Sequence, residues 1–456
     1  MLLRCFYQGT LVFCRTYMDK NVLKLHERGI FKDVFPAMRN DEIIDLLVRT
    51  PQTVYAGFDP TASSLHIGNL LILINLIHWQ RAGHQVIALI GGATAQVGDP
   101  SGKTKDRDKQ DLATVQTNTK GIEKNIKTIF RNHEQYFWKD RKDSLKPPIV
   151  VNNMSWYNSI NVIDFMNHIA RLFRMGDMLK KQSVVTRLES EHGMNYTEFS
   201  YQIFQSYDWA HLYKEHNCRF QVGGSDQMGN IKAGHDLISK LYGKTVFGLT
   251  TPIIESESGE KFGKSARNAI WLDSKLSSSF ELYQYLIRTK DSEVYDLLKL
   301  FSFDSLAAIE DFKRQNEHKP EERRAQKKLA EDLTLLVHGE EGLKSAKLAT
   351  QALYSQDLDS LGSLNATDAS RIFPGARIVE LLMEPGMSML ELSLATKCFP
   401  RDKEANLTIS EGGFYVNYKK VQNPQEVLSP SAHILPNSLT LLRVGKRNYC
   451  IVKWLS

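Results

Sequence analysis

An α/β fold with a parallel sheet, then a helical domain, then a small α+β domain, is what this 456-residue chain predicts. Three observations predict it. From about residue 52 to 270, short apolar runs alternate with helical stretches, as in a parallel sheet whose strands are joined by crossover helices. From about 276 to 355 helix follows helix, with Pro and Gly mainly at the ends. From about 387 onward short strands return, flanked by basic residues.

The strand candidates of the first region are Thr53–Phe58, Gln85–Ile90, Pro148–Asn152, Arg219–Gly223 and, more weakly, Ala269–Leu272. Ligands on such sheets sit at the carboxyl ends of strands, near the point where strand order reverses. Residues 160 to 192 read as an inserted helical piece. Its apolar positions Ile163, Phe165, Met166, Ile169, Leu172 and Phe173 suit either a core or a subunit interface. The helical candidates that follow are Phe280–Thr289, Glu293–Leu300, Leu306–Asn316, Pro320–Gly339 and Gly342–Tyr354. Residues 356 to 384 are a weaker connector. The last strands are Gly413–Tyr418, Leu439–Val444 and Asn448–Lys453, with Lys419, Lys420, Arg443, Lys446, Arg447 and Lys453 beside them. The domains are thus 31–273, 276–384 and 385–456.

The composition is 42% hydrophobic and 24% charged, ordinary for a globular chain of two or three domains. No apolar run approaches the length of a membrane span. Cys5, Cys14, Cys218, Cys398 and Cys450 are scattered, with no Cys-x-x-Cys and no His at zinc spacing, so reduced structural thiols are expected and a structural metal is not. Residues 1 to 18 carry Arg4 and Arg15, no acid and several large apolar residues, the composition of an organelle transit peptide or of an unaddressed tail. Net charge is +6. The last 72 residues hold nine Lys or Arg against five Asp or Glu, so much of the excess sits in the final domain and suggests a polyanion partner.

The most informative run is Tyr55-Ala56-Gly57-Phe58-Asp59-Pro60-Thr61, continuing to Leu65-His66-Ile67-Gly68-Asn69. It begins as a strand, turns at Pro60 and opens a helix at His66. Helix starts carry unpaired N–H groups and partial positive charge, so a polyphosphate fits there, with His66 and Thr61 adding hydrogen bonds. A second piece, Lys261-Phe262-Gly263-Lys264-Ser265, places two lysines around a glycine. Alone, the first is an ordinary helix start and the second a solvated loop. In this order, about 200 residues apart, they resemble the two signatures of class I aminoacyl-tRNA synthetases. Gly91-Gly92-Ala93-Thr94, Gly98-Asp99-Pro100-Ser101-Gly102-Lys103, Glu198-Phe199-Ser200-Tyr201 and Gly223-Gly224-Ser225-Asp226-Gln227 narrow the resemblance to the tyrosyl-tRNA synthetases, in their mitochondrial, bacterial-type branch. It runs from about Phe31 to the C-terminus.

The resemblance implies a Rossmann-like catalytic domain, an α-helical anticodon-side domain and an S4-like RNA-binding domain. It implies tRNA(Tyr), tyrosine and ATP with Mg²⁺ as partners, a homodimer joined through the 160–192 region, no membrane, and a mitochondrial matrix location. By spacing, Tyr201, Gln205 and Asp208 share one helix face, while Phe199, Ile203 and Phe204 point elsewhere. The family places that face in the tyrosine pocket. Tyr55 and Asp208 match the residues that bind the substrate hydroxyl, and Asp99, Tyr201 and Gln205 those that hold its ammonium; Gln221 and Gln227 line the same pocket. A buried carboxylate left unpaired by phenylalanine gives large discrimination, for which this family is a standard illustration. Gly57, Asp59, Asn69, Gly223, Asp226 and Ile254 belong with ATP. Thr61 and His66 match the γ-phosphate site, and Lys103, Arg107, Lys261 and Lys264 close on the departing pyrophosphate.

No G-x-G-x-x-G follows a strand, and no Ser-His-Asp arrangement is supported. Two departures stand out. Asn69 replaces the second histidine of the first signature, and Phe262-Gly263 replaces the common Met-Ser of the second, with both lysines kept. A tryptophan ligase of the same fold, and an RNA-binding protein built on a synthetase, are the alternatives. Tyr55 with Asp208 argues against the first, and intact His66, Lys261 and Lys264 against the second.

Overall fold

The computed structural model describes residues 21–37, 40–101, 109–139, 143–255, 262–263, 269–317, 319–373, 376–445 and 448–455. The expected leader, 1–18, lies outside them, as do Lys103, Arg107, Lys261, Lys264, Lys446 and Arg447. The chain forms two compact units. One takes in the residues up to 264 together with 299–306; the other takes in 265–298 and 307–456.

The first unit is built on a six-stranded sheet: β1 (Asp33–Phe35), β2 (Thr53–Phe58), β3 (Gln85–Ile90), β4 (Ile149–Asn152), β5 (Cys218–Gly224) and β6 (Phe247–Thr251), in the order β1-β6-β5-β2-β3-β4. All neighbours run parallel except β1, which lies antiparallel on β6. β2 and β3 read as continuous apolar runs because parallel strands are covered on both faces. From β2 the chain steps outward through β3 and β4, then returns to place β5 on the other flank of β2. The strand order therefore reverses between β2 and β5, and a crevice opens at their carboxyl ends. Register sets Tyr55 directly beside Gln221 across that junction.

Two strands of this sheet were not expected from sequence. β1 is a three-residue edge. β6 is fully buried, but Gly248 interrupts its apolar run. That glycine is required: a Cβ there would lie 2.1 Å from Cγ2 of Ile231, in the helix packed on the strand. In the other direction, Ala269–Leu272 is not a strand; only isolated bridge positions occur at Ala269 and Trp271.

Four helices position the crevice: α1 (Ile67–Arg81), α2 (Leu112–Asn132), α3 (Tyr196–His216) and α4 (Met228–Tyr242). α1 is apolar nearly all round and is buried along its length. α3 packs on α4 around Trp209, which is fully buried; Gly234 makes room, since a Cβ there would lie 2.7 Å from the indole. Phe199 and Ile203 face away from the crevice into a cluster with Phe165, Met178 and Val184, as their spacing requires. In the inserted piece the helix Val162–His168 splits its apolar residues. Phe165 is buried, whereas Val162 is 68% and Ile163 69% exposed.

The second unit begins with helices α5 (Ser279–Ile287), α6 (Asp291–Phe301), whose last turn belongs to the first unit, α7 (Leu306–Asn316) and α8 (Arg324–Tyr354). α8 is two stretches meeting at a kink at Gly339 (φ 72°), where sequence places the break between two helices. A five-stranded sheet follows: β7 (Arg377–Leu382), β8 (Phe414–Val416), β9 (Lys419–Val421), β10 (Leu439–Val444) and β11 (Asn448–Leu455), in the order β7-β11-β10-β8-β9. β7 falls in the stretch read as a connector, yet it pairs in parallel with β11, so this sheet starts before residue 385. Among the described residues no helix is long and apolar enough to cross a membrane.

A buried ion pair ties the insertion to α3: Arg187 donates to Glu198 at 2.8 Å, with side chains 0% and 4% exposed. Truncating one member of such a pair strands the other charge in low dielectric, at a cost of roughly 3–5 kcal/mol. Arg187→Ala is therefore expected to lower the unfolding free energy by about that amount, read from urea denaturation.

Candidate active site

The crevice encloses about 520 Å³ and is lined by every sequence-predicted site residue that falls among the described residues. Those residues come from six separate stretches of chain, brought together by the reversal at β2.

β2 contributes Tyr55 and Gly57, two apart and so on one face of the strand, followed by Asp59. A Cβ at Gly57 would meet nothing within 4 Å, so this face opens into space. The turn after β2 is held by α2. Asn118 donates to the Pro60 carbonyl at 3.0 Å, and Asn125 accepts from Leu65 N–H and from Ser64 Oγ, both at 2.9 Å. α2 presses so closely that a Cβ at Gly121 would sit 2.0 Å from the Ser63 carbonyl oxygen.

The turn ends at His66, the N-cap of α1. Asn69 Oδ1 accepts the His66 backbone N–H at 3.1 Å. The residue that departs from the family's second histidine thus caps the helix that opens here. Gly68 keeps space for the His66 ring, since a Cβ there would lie 2.9 Å from its Cε1. In the first turn of α1 the Asn69 N–H donates to the His66 carbonyl at 2.8 Å, and that turn carries the positive end of the helix.

The opposite side is acidic. Asp59 accepts from the Tyr201 hydroxyl at 2.8 Å and from Thr94 Oγ1 at 2.7 Å. A Cβ at Gly91 would fall 1.9 Å from Asp59 Oδ1, which accounts for the glycine at that position. Asp99 accepts from Ser101 N–H at 3.0 Å and from Gln227 Nε2 at 2.8 Å. Asp226 lies over Gly224, whose Cβ would meet its Oδ1 at 2.5 Å.

Asp208 is the most deeply placed carboxylate, 2% exposed. Asn153 Nδ2 donates to its Oδ2 at 3.0 Å and Trp156 Nε1 to its Oδ1 at 2.9 Å. Burial raises its carboxyl from an ordinary 3.8 to about 7, against the opposing pull of those donors. The hydroxyl of Tyr55 is buried with no hydrogen-bond partner. Burial, then the charge of Asp208, hold that phenol well above its ordinary value. A buried carboxylate and an unpartnered buried hydroxyl face one cavity, a pairing that asks for a ligand bearing its own hydroxyl.

Sequence reasoning missed Thr94, Asn153 and Trp156. The last two follow the carboxyl end of β4, where a parallel sheet puts ligand-facing groups, and that rule was the available signal. Among the described residues no group of three or more His, Cys, Asp or Glu stands ready to hold a metal ion.

Residues 48–355 match the family described as tRNA synthetases class I (W and Y). The chain is 52% identical over 443 residues to a Drosophila melanogaster protein named mitochondrial tyrosine–tRNA ligase, an alignment covering 96% of each. The chain belongs to the class I tyrosyl-tRNA synthetases. It is also 45% identical over 433 residues to the Homo sapiens mitochondrial tyrosine–tRNA ligase, covering 94% of this chain and 90% of that one. A solved C-terminally truncated mitochondrial tyrosyl-tRNA synthetase from Aspergillus nidulans matches with a TM-score of 0.66 at 31% identity, over 73% of this chain and 94% of the other. The expected Rossmann-like fold is therefore that of the family.

The raised carboxyl of Asp208 makes stability depend on pH in a definite direction. Below about pH 4 both folded and unfolded states hold the proton and its contribution is complete. As pH rises toward 7 the unfolded state releases the proton first, so the contribution is lost, at up to about 1.4 kcal/mol per pH unit. Asp208→Asn binds no proton and should flatten that slope, measured by urea unfolding of both proteins between about pH 4 and 7.

Proposed function

We propose that this chain is a mitochondrial tyrosine–tRNA ligase that joins tyrosine to tRNA(Tyr) in two steps at the crevice between β2 and β5. The observation that carries the reading is the buried, unpartnered hydroxyl of Tyr55 beside the buried carboxylate of Asp208. A tyrosine hydroxyl donates to Asp208 and accepts from Tyr55, which satisfies both. Phenylalanine leaves the Tyr55 hydroxyl unpaired and Asp208 with its protein donors alone, and a buried group so stranded costs about 1–3 kcal/mol.

The ammonium of the substrate sits with Tyr201, Gln205 and Asp99, with Gln221 and Gln227 as further walls. Its carboxylate oxygen attacks the α-phosphorus of ATP; the bond to the β-phosphate oxygen breaks and pyrophosphate leaves. The terminal ribose hydroxyl of tRNA then attacks the carbonyl of tyrosyl adenylate and AMP departs. No protein nucleophile takes part, so the contribution of the chain is placement and charge. The ribose of ATP lies at Asp226 over Gly223 and Gly224, its adenine near Ile254, and its phosphates at Gly57, Thr61, His66 and Asn69. Lys103, Arg107, Lys261 and Lys264 neutralise the pyrophosphate as it leaves. Mg²⁺ enters with ATP, held by phosphates and water. The crevice carboxylates Asp59 and Asp99 already accept protein hydrogen bonds, which fits substrate-borne metal better than a protein cage.

The exposed apolar positions Val162, Ile163 and Met166 support a homodimer through the insertion. The basic final domain, 385–456, takes the tRNA with the helical domain 276–384, and the leader 1–18 directs the chain to the mitochondrial matrix.

Tyrosine-dependent ATP–pyrophosphate exchange on the purified chain tests the adenylation step. Exchange is expected with tyrosine and to be lower by about tenfold to a hundredfold or more with phenylalanine or tryptophan, since the Tyr55 hydroxyl is left stranded and Asp208 loses a donor. Absence of exchange with all three, in folded protein, sinks the proposal. Lys264→Ala should lower the exchange rate by roughly a hundredfold or more while tRNA binding by filter assay persists. Unchanged exchange would remove Lys264 from the chemistry.

A further inference from the structure

Phe262 lies between the two lysines of the second signature, and its surroundings are unlike those of a solvated loop. Its backbone N–H donates to the Ile254 carbonyl at 2.8 Å. Its ring packs on that of Phe301, centroids 5.3 Å apart. The next residue, Gly263, has φ +86°, and a Cβ there would lie 2.2 Å from Cγ2 of Ile67 and 3.4 Å from the Gly68 nitrogen. Phe262 and Gly263 therefore rest directly on the first turn of α1, and both line the crevice.

Phe301 is itself firmly held. It is buried, in the segment 299–306 that belongs to the first unit. On one side of it the Arg28 guanidinium donates to the carbonyls of Lys299 at 2.8 Å, Ser302 at 2.6 Å and Asp304. On the other, Phe303 sits in an aromatic cluster, its ring 4.7 Å from His133 and 5.4 Å from each of His78 and Phe137. The Arg81 guanidinium lies 4.9 Å from the same ring. Nothing about substrate chemistry requires an aromatic ring at 301, 303 or 262. The contact of Phe262 with Phe301 runs from an anchored segment to the joint between the two lysines.

We infer that Phe301 is a positioning residue for adenylation, acting through Phe262 to seat the second signature against the start of α1. The inference rests on the adenylation reading above. Lys261 and Lys264 directly flank Phe262 and Gly263 in the sequence. Fixing that joint limits where both ammonium groups can reach. A misplacement on the order of 1 Å at such a site costs about a hundredfold in rate.

The test is single-turnover formation of tyrosyl adenylate by the full chain carrying Phe301→Ala, Phe301→Leu, Phe262→Ala or both alanines. Phe301→Ala is expected to slow adenylate formation roughly tenfold to a hundredfold. Its Kd for tyrosine, by equilibrium dialysis, should stay within about twofold, because Phe301 does not touch the tyrosine end of the crevice. Phe301→Leu should recover most of the rate. The double alanine variant should be no slower than Phe262→Ala alone, since both changes break one link. A Phe301→Ala rate within about twofold of the parent overturns the inference, as do rate losses that multiply in the double variant. So does a rise in tyrosine Kd equal to the rate loss, which marks general loosening. Should Phe301→Ala fail to fold, Phe262→Ala decides: a parental rate overturns the inference, and a slowed rate not deepened by adding Phe301→Leu supports it. A parent chain without tyrosine-dependent exchange would sink the functional reading itself, whereas an active parent matched by Phe301→Ala sinks only the role of Phe301.

Discussion

A carboxylate at Asp208, almost removed from water, sets the terms for one end of the crevice. Desolvating such a group is expensive unless donors meet it. Protein donors do so, among them Asn153 from the end of β4 and Trp156 just beyond it. They hold the group only if β4, β2 and α3 keep their relative placement. The sheet order that brings those three together, and the tight α3–α4 packing allowed by Gly234, are thus conditions for keeping that charge buried. Even so, its proton affinity stays raised, because burial outweighs the pull of those donors.

The crevice also divides by charge. Asp59, Asp99 and Asp208 crowd one region, each engaged by hydroxyl, amide or indole donors. The first turn of α1 supplies the opposite sign through backbone amides. A ligand with a cationic head and a polyanionic tail has one orientation that satisfies both ends. Glycines at 57, 68, 91 and 224 keep the walls close: three of them leave room for a named side chain, and the fourth faces open space.

Much of this was legible in the sequence where a signal was local. Thr53–Phe58 and Gln85–Ile90 were read to the residue because buried parallel strands are continuous apolar runs. Tyr201, Gln205 and Asp208 were placed on one face because helical spacing alone dictates it. What escaped reading depends on distant partners. β6 was hidden by Gly248, whose reason is a contact with Ile231. β7 is a strand by virtue of β11, some seventy residues on. Asn153 and Trp156 are unremarkable in sequence, and only their meeting with Asp208 gives them a role. Asn69 looked like a weakened signature, yet its amide oxygen serves as a helix cap, a function that spacing from His66 permits but does not announce.

Trp156 brings a property unrelated to binding strength. Its indole N–H is bonded to Asp208, and its ring stacks on His211 with centroids 4.3 Å apart and planes 24° from parallel. An indole's emission responds to the local electric field and to nearby quenchers. Here that field is set by a buried carboxylate at the deep end of the crevice. The indole is thus an intrinsic optical probe one hydrogen bond from Asp208, needing no added label.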